Sequence, residues 1–203
     1  MLDGSVRPLI DPPLNAAGML LARLGVGANA ITLVGFLLGG CACAAIAQSQ
    51  FPVALALMAA NRVLDGLDGA VARRRGPTDL GGYLDIVCDM IFYSGVPFAF
   101  LLRDPADAAP AAFLMLSFMG TGASFLAYAA IAAKRGENTR AQGVKSMYYS
   151  FGLMEGTETI AFFAAFCLWP GYFAPLAWVF GCLCWLTVAG RMALAWNQFG
   201  GER

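Results

Sequence analysis

The feature that most constrains this chain is a set of long segments without a single Asp, Glu, Lys or Arg. Residues 24–61 carry no charge, and neither do 108–133 or 159–190. Gln48-Ser49-Gln50-Phe51-Pro52 splits the first as a turn, and Trp169-Pro170-Gly171-Tyr172 splits the last. A helix of about 20 apolar residues crosses a hydrocarbon core. The expected spans are therefore approximately 29–48, 52–73, 83–102, 109–133, 147–168 and 173–195. Of 203 residues, 59% are hydrophobic and only 13% charged, where a soluble domain has about a quarter charged. This predicts an all-α integral membrane protein with six transmembrane helices. Disorder and a secreted disulfide scaffold are excluded by the same composition.

The remaining charges orient the chain. Arg7 and Arg23 precede the first span, and Arg73, Arg74 and Arg75 follow the second. Lys134, Arg135, Arg140 and Lys145 lie between the fourth and fifth, Arg203 ends the chain, and the opposite side has Arg103. The positive-inside rule then puts both termini and the 74–82 and 134–146 loops of this multi-pass chain in the cytoplasm. Asp3 and Asp11 argue against a signal peptide. Pro12-Pro13 opens a segment with Leu14, Ala17, Leu21 and Leu24 on one face, read as an interfacial amphipathic helix on the cytoplasmic leaflet, or else a helix packed on the bundle end. The expected organisation is a cytoplasmic segment 1–28 containing that helix, a six-helix domain 29–196 and a cytoplasmic tail 197–203.

Two absences narrow the chemistry. There is no histidine, which removes Ser-His-Asp triads and His-ligated metals. Cys41, Cys43, Cys88, Cys167, Cys182 and Cys184 sit in apolar runs without CxxC spacing and read as free thiols. A net charge of zero gives no reason to expect nucleic acid.

Intramembrane carboxylates are costly and mark functional sites by default. This chain has four within 25 residues: Asp65, Asp68, Asp85 and Asp89. Asp65 and Asp68 are i, i+3, and Asp85 and Asp89 are i, i+4, so each pair shares a helix face. A short 74–82 connection makes the two helices antiparallel neighbours. Asp65 lies about 12 Å along its helix from Arg73, and Asp89 a similar distance into the next. All four are expected to meet at one depth, open to the cytoplasm. Like charges so close resolve either by sharing protons or by binding cations. An all-oxygen donor set selects Mg²⁺, Mn²⁺ or Ca²⁺, and a pair of such ions is suited to clamping a phosphoryl group. Gly66, Gly69, Ala72, Gly81 and Gly82 leave the nearby faces bare for close approach of a ligand.

The run Asp65-x-x-Asp68-Gly69-x-x-Ala72-Arg73, seven further residues, then Gly81-x-x-x-Asp85-x-x-x-Asp89 resembles the signature of the CDP-alcohol phosphatidyltransferases, with no fixed position missed. The six-span layout and the Ala28-Asn29-Ala30-Ile31-Thr32 start of the first span are also similar to that family. The resemblance implies transfer of a phosphatidyl-type group from a CDP-linked lipid, with CDP-diacylglycerol the family default, to an alcohol, releasing CMP. It implies two divalent cations, Mg²⁺ or Mn²⁺, held by Asp65, Asp68 and Asp85, with Asp89 completing the metal site and acting as general base. It further implies that Gly69, Ala72, Arg73 and Gly81 cradle the cytidine diphosphate, that Asn29 and Thr32 close over the base, and that the enzyme is a homodimer.

For the acceptor, Glu155 and Glu158 stand at i, i+3 near one end of the fifth span. They read equally as acceptor ligands or as structural partners of Arg62 or Arg191. In the first case they disfavour a phosphate-bearing acceptor and suit a neutral polyol or an amine-bearing alcohol. Lys145 and Ser146 match positions that face substrate in similar proteins, and an interfacial anchoring lysine is the alternative. Arg62 joins these as an acceptor-pocket candidate. A small cation- or proton-coupled transporter using buried aspartates is the competing function, and a silent membrane scaffold a weaker one.

Overall fold

A computed structural model describes residues 3–135 and 156–200. The described residues are helical, with no strand among them, and comprise α1 (Asp3–Arg23), α2 (Ala28–Ala47), α3 (Phe51–Arg75), α4 (Asp79–Arg103), α5 (Ala108–Lys134), α6 (Gly156–Leu168) and α7 (Phe173–Phe199). Short 3₁₀ turns at Pro105–Asp107 and Pro170–Tyr172 precede α5 and α7.

The punctuation follows turn chemistry. At residues 48–50 the chain reverses with Ser49 at φ 60°, and Pro52 sits in the first turn of α3, where a missing N–H costs nothing. Residues 76–78 alone join α3 to α4. Gly76 takes φ 96°, a conformation side chains resist, and the Thr78 hydroxyl accepts from the Gly81 N–H at 3.1 Å as the cap of α4. This link is shorter than the expected 74–82 loop, because Arg73–Arg75 continue the last turn of α3 and Asp79 opens α4.

Four segments are long and apolar enough to cross a membrane by length and composition: Ala28–Ala47, Asp79–Arg103, Pro105–Lys134 and Pro170–Phe199. The six-span count is thus supported for four. The 25-residue α3 is long enough, but Arg62, Asp65, Asp68 and Arg73–Arg75 make it too polar to qualify. The expected 147–168 span falls partly outside the described residues, and its described part, α6, has 13 residues.

α2 packs against α3 and α4, α5 against α4 and α7, and α1 against α3. The core is aromatic: Phe92, Phe100, Phe163, Phe166, Phe173 and Phe180 are buried, with Phe100 stacked on Phe173 at 4.2 Å. Ser117 and Thr187, also buried, return their hydroxyls to the Phe113 and Leu183 carbonyls of their own helices.

The N-terminal helix begins well before Pro12-Pro13, which fall inside it together with Pro8. It is seated on the bundle rather than carried by lipid alone. A Cβ added at Gly18 would meet Ala70 Cβ at 2.6 Å, and one added at Gly66 would meet Leu14 at the same distance. Gly66 and Ala70 are i, i+4, so they form a small-residue strip on which α1 lies. Gly66 is therefore bare for a helix and not, as expected, for a ligand.

Candidate functional site

The α3–α4 hairpin carries the site. Its three-residue link holds the helices antiparallel, so that one carboxylate oxygen each from Asp65, Asp85 and Asp89 lie within 4.8 Å of one another. Asp68 lies outside that group of three. Its carboxylate is buried against α2 and accepts from Thr32 Oγ1 at 2.6 Å. Three of the four expected aspartates thus converge and the fourth is held beside them. All four line one cavity of about 10 Å³ with Thr32, Asn61 and Cys88 on its walls.

Arg62 enters the same cavity. Its Nη2 donates to Asp89 Oδ1 at 2.9 Å, and Nη1 stands 3.7 Å from Asp65 Oδ2. The guanidinium lies over the Phe92 ring, 5.0 Å from its centroid, and Nη1 reaches Tyr93 Oη at 3.5 Å. Nε donates to Asn61 Oδ1 at 2.7 Å, while Asn61 Nδ2 donates to the Gly35 carbonyl at 2.8 Å. Asn61 is buried, so removing its amide would orphan groups at a cost of about 1–3 kcal/mol.

The residues expected around a nucleotide gather at the neighbouring helix ends. The Arg73 guanidinium folds back over Gly69, with Nη1 3.3 Å from where a Cβ would stand, and Nη2 donates to Asn15 Oδ1 at 3.1 Å. Asn29 Oδ1 and Thr78 Oγ1 each come to 3.0 Å of the Cβ position on Gly81. Ala72 is half-buried on α3. Arg75 donates to the carbonyls of Gly25 and Val26, tying the α1–α2 link to the end of α3.

The acceptor candidates separate. Lys145, Ser146 and Glu155 lie outside the described residues, and Glu158 stands in the first turn of α6. In the same turn, Gly156 and Thr159 border a second cavity of about 540 Å³, with Met90, Tyr93, Phe118 and Arg191 on its other sides. Arg191 donates to the Thr121 carbonyl at 3.0 Å. Arg62 is placed on the aspartates, and through Tyr93 it adjoins this second cavity.

Sequence reasoning did not single out Asn61, Asn15, Thr78 or Tyr93. Asn61 had a legible signal, an amide ending a charge-free segment, and Thr78 had another, a hydroxyl just ahead of a helix; Asn15 and Tyr93 are identified by contacts distant along the chain.

The converging donors fit a hard divalent cation. All three are carboxylate oxygens, and oxygens about 2.0–2.6 Å from a shared cation stand about 3–5 Å apart, which accords with the 4.8 Å spread here. All six cysteines are free thiols, and none belongs to the cluster.

Comparison with known proteins agrees with this arrangement. Residues 26–193 match the CDP-alcohol phosphatidyltransferase family. The chain is 47% identical over 193 residues to the inner membrane protein YnjF of Escherichia coli K12, covering 95% of this chain and 94% of that protein. It is 41% identical over 87 residues to the archaetidylinositol phosphate synthase of Methanothermobacter thermautotrophicus, covering 42% of this chain and 41% of that one. In fold it is similar to the crystal structure of the Mycobacterium tuberculosis phosphatidylinositol phosphate synthase PgsA1 with CDP-DAG bound, with a TM-score of 0.69 at 19% identity, over 90% of this chain and 93% of that one. Nothing in these matches supports a transporter. With an intact signature run, a matching fold and a family match across most of its length, this membrane protein belongs to the CDP-alcohol phosphatidyltransferase family and is a transferase.

Proposed function

We propose that the enzyme transfers a phosphatidyl-type group from CDP-diacylglycerol to an alcohol and releases CMP, in phospholipid biosynthesis. The observation that carries this reading is the convergence of Asp65, Asp85 and Asp89 within 4.8 Å on the signature hairpin. The family is generally dependent on divalent metal. Here Asp65, Asp68, Asp85 and Asp89 would hold two ions, Mg²⁺ or Mn²⁺. When bound, these ions supply charge neutralisation at the diphosphate and at the departing CMP.

The chain's own groups do the rest. Asp89 takes the proton from the acceptor hydroxyl, which attacks phosphorus in line and expels CMP. Thr32 keeps Asp68 oriented from α2. Gly69 leaves room for Arg73 to lie along α3 beside the diphosphate, while Ala72, Gly81 and Asn29 border the nucleotide with Thr32. The acceptor approaches through the cavity bounded by Tyr93 and Thr159, near Glu158, and is also served by Lys145, Ser146 and Glu155, which lie outside the described residues. The protein works as a homodimer, with both termini and the site facing the cytoplasm.

The test is CMP release from CDP-diacylglycerol in Mg²⁺ or Mn²⁺, with products identified by mass spectrometry. The acceptor panel sets a neutral polyol and an amine-bearing alcohol against glycerol 3-phosphate and inositol phosphate. Turnover of the first two is expected. Preference for the phosphates returns Glu155 and Glu158 to a structural role, and no CMP release with any alcohol overturns the reading.

A further inference from the structure

Four carboxylates share the hairpin site, and one fixed positive group lies among them. Arg62 is 2.9 Å from Asp89 and 3.7 Å from Asp65. Asn61 anchors its Nε at 2.7 Å, and Asn61 is fastened in turn to the Gly35 carbonyl of α2. The faces of Phe92 and Tyr93 flank the guanidinium at 5.0 and 5.7 Å. An arginine cannot vacate a site by losing its proton; it can only move. The guanidinium is a rigid planar fork, so it leaves the aspartates as a unit, by rotation of its aliphatic stem. The aromatic faces support the charge beside the aspartates without adding another anion to bind it there.

We propose that Arg62 is the resident counter-charge of the site. It holds Asp65 and Asp89 when no divalent cation is bound and yields their oxygens when one binds, and so sets the metal affinity and the resting position of Asp89. The inference rests on the reading that these aspartates hold divalent cations. Arg62 is a positioning residue, acting through Asp89.

The test uses the full-length protein in detergent, with thermal unfolding in EDTA and in Mn²⁺, and Mn²⁺ binding followed by the paramagnetic resonance of the free ion. Wild type is expected to fold in EDTA and to gain a modest shift with Mn²⁺. Arg62→Gln should lose roughly 5–10 °C in EDTA, since an uncompensated carboxylate remains, and regain most of it with Mn²⁺. It should also bind Mn²⁺ about tenfold tighter, a gain of about 1.4 kcal/mol. Arg62→Lys keeps the charge without the fork and should fall between, which serves if the glutamine variant does not fold. Arg62→Gln combined with Asp89→Asn removes both partners and should recover part of the loss in EDTA. A loss that persists in the double variant, or that Mn²⁺ does not repair, traces to packing on Phe92 and overturns the proposal. Unchanged stability in EDTA, or unchanged or weaker Mn²⁺ binding, overturns it as well. A wild type that neither binds Mn²⁺ nor shifts with it overturns the metal reading itself, a result distinct from any of these.

Discussion

Two half-buried arginines, Arg62 and Arg103, show what separates a functional charge cluster from a structural one. Each side chain is 17% exposed and lies over two aromatic rings, Arg62 on Phe92 and Tyr93, Arg103 on Phe100 and Phe51. Arg103 donates to Asp107 at 3.1 Å, much as Arg62 does to Asp89 at 2.9 Å. The difference lies in the count of carboxylates. Arg103 meets one, on the next turn, and that carboxylate is only 12% exposed. Arg62 meets Asp89 and Asp65, at 29% and 36% exposure, with Asp85 beside them. The first pair closes on itself as an ion pair between a helix end and the turn that follows it. The second leaves negative charge over, in a cavity that is open. A buried Arg–Asp pair is thus ordinary membrane-protein structure; the surplus of carboxylates is what calls for a cation.

The largest effect should come from the surplus end. Asp89→Asn is expected to reduce CMP release by about 10²–10⁴-fold, the range for loss of a general base, while CDP-lipid binding largely persists. Its counterpart Asp107→Asn should leave turnover within about twofold. Near-wild-type turnover in Asp89→Asn removes the base assignment, and a large loss in Asp107→Asn breaks the comparison.

Next comes stability. Arg103→Gln strands Asp107 and should cost about 3–5 kcal/mol, the range for breaking a buried pair, equally in EDTA and in Mn²⁺. Scanning calorimetry in both conditions reads this. Repair by Mn²⁺ would show that surplus charge is not what distinguishes the two ends.

Gly66→Val tests the face of α3 on which α1 lies, where Leu14 fills the space. Overpacking should cost about 1–3 kcal/mol by displacing α1, with the Mn²⁺-induced shift unchanged. A lost Mn²⁺ response would mean that the α1 seat also shapes the metal face.

The last variant, Thr32→Val, is read in substrate affinity rather than in stability, because it takes one hydrogen bond from Asp68. The KM for the CDP-lipid should rise with kcat little changed. A fall in kcat alone would place Thr32 with the reacting groups instead.

Much of this was legible in the residues. Charge-free segments located α2, α5 and α7, because a helix crossing hydrocarbon needs about 20 predominantly apolar residues. Their ends fell at Ser49 and at Pro170–Tyr172, as the turn residues indicated. The pairing of Asp65 with Asp68 and of Asp85 with Asp89 follows from the helical repeat. What escaped were relations between helices. Asp68 lines the shared cavity and also accepts from Thr32, a residue 36 positions away. Arg62 bonds Asp89, 27 positions on. Gly66 faces Leu14 of α1.

The sequence by itself determined that this is an all-helical membrane protein with a carboxylate site on a signature hairpin. Composition, period and spacing are local properties that no packing can revise. Only the tertiary structure decided which three aspartates converge, which cation stands among them and which glycine is covered by α1. Those outcomes depend on how helices cross and which atoms then come within bonding distance, and a one-dimensional repeat carries no such information.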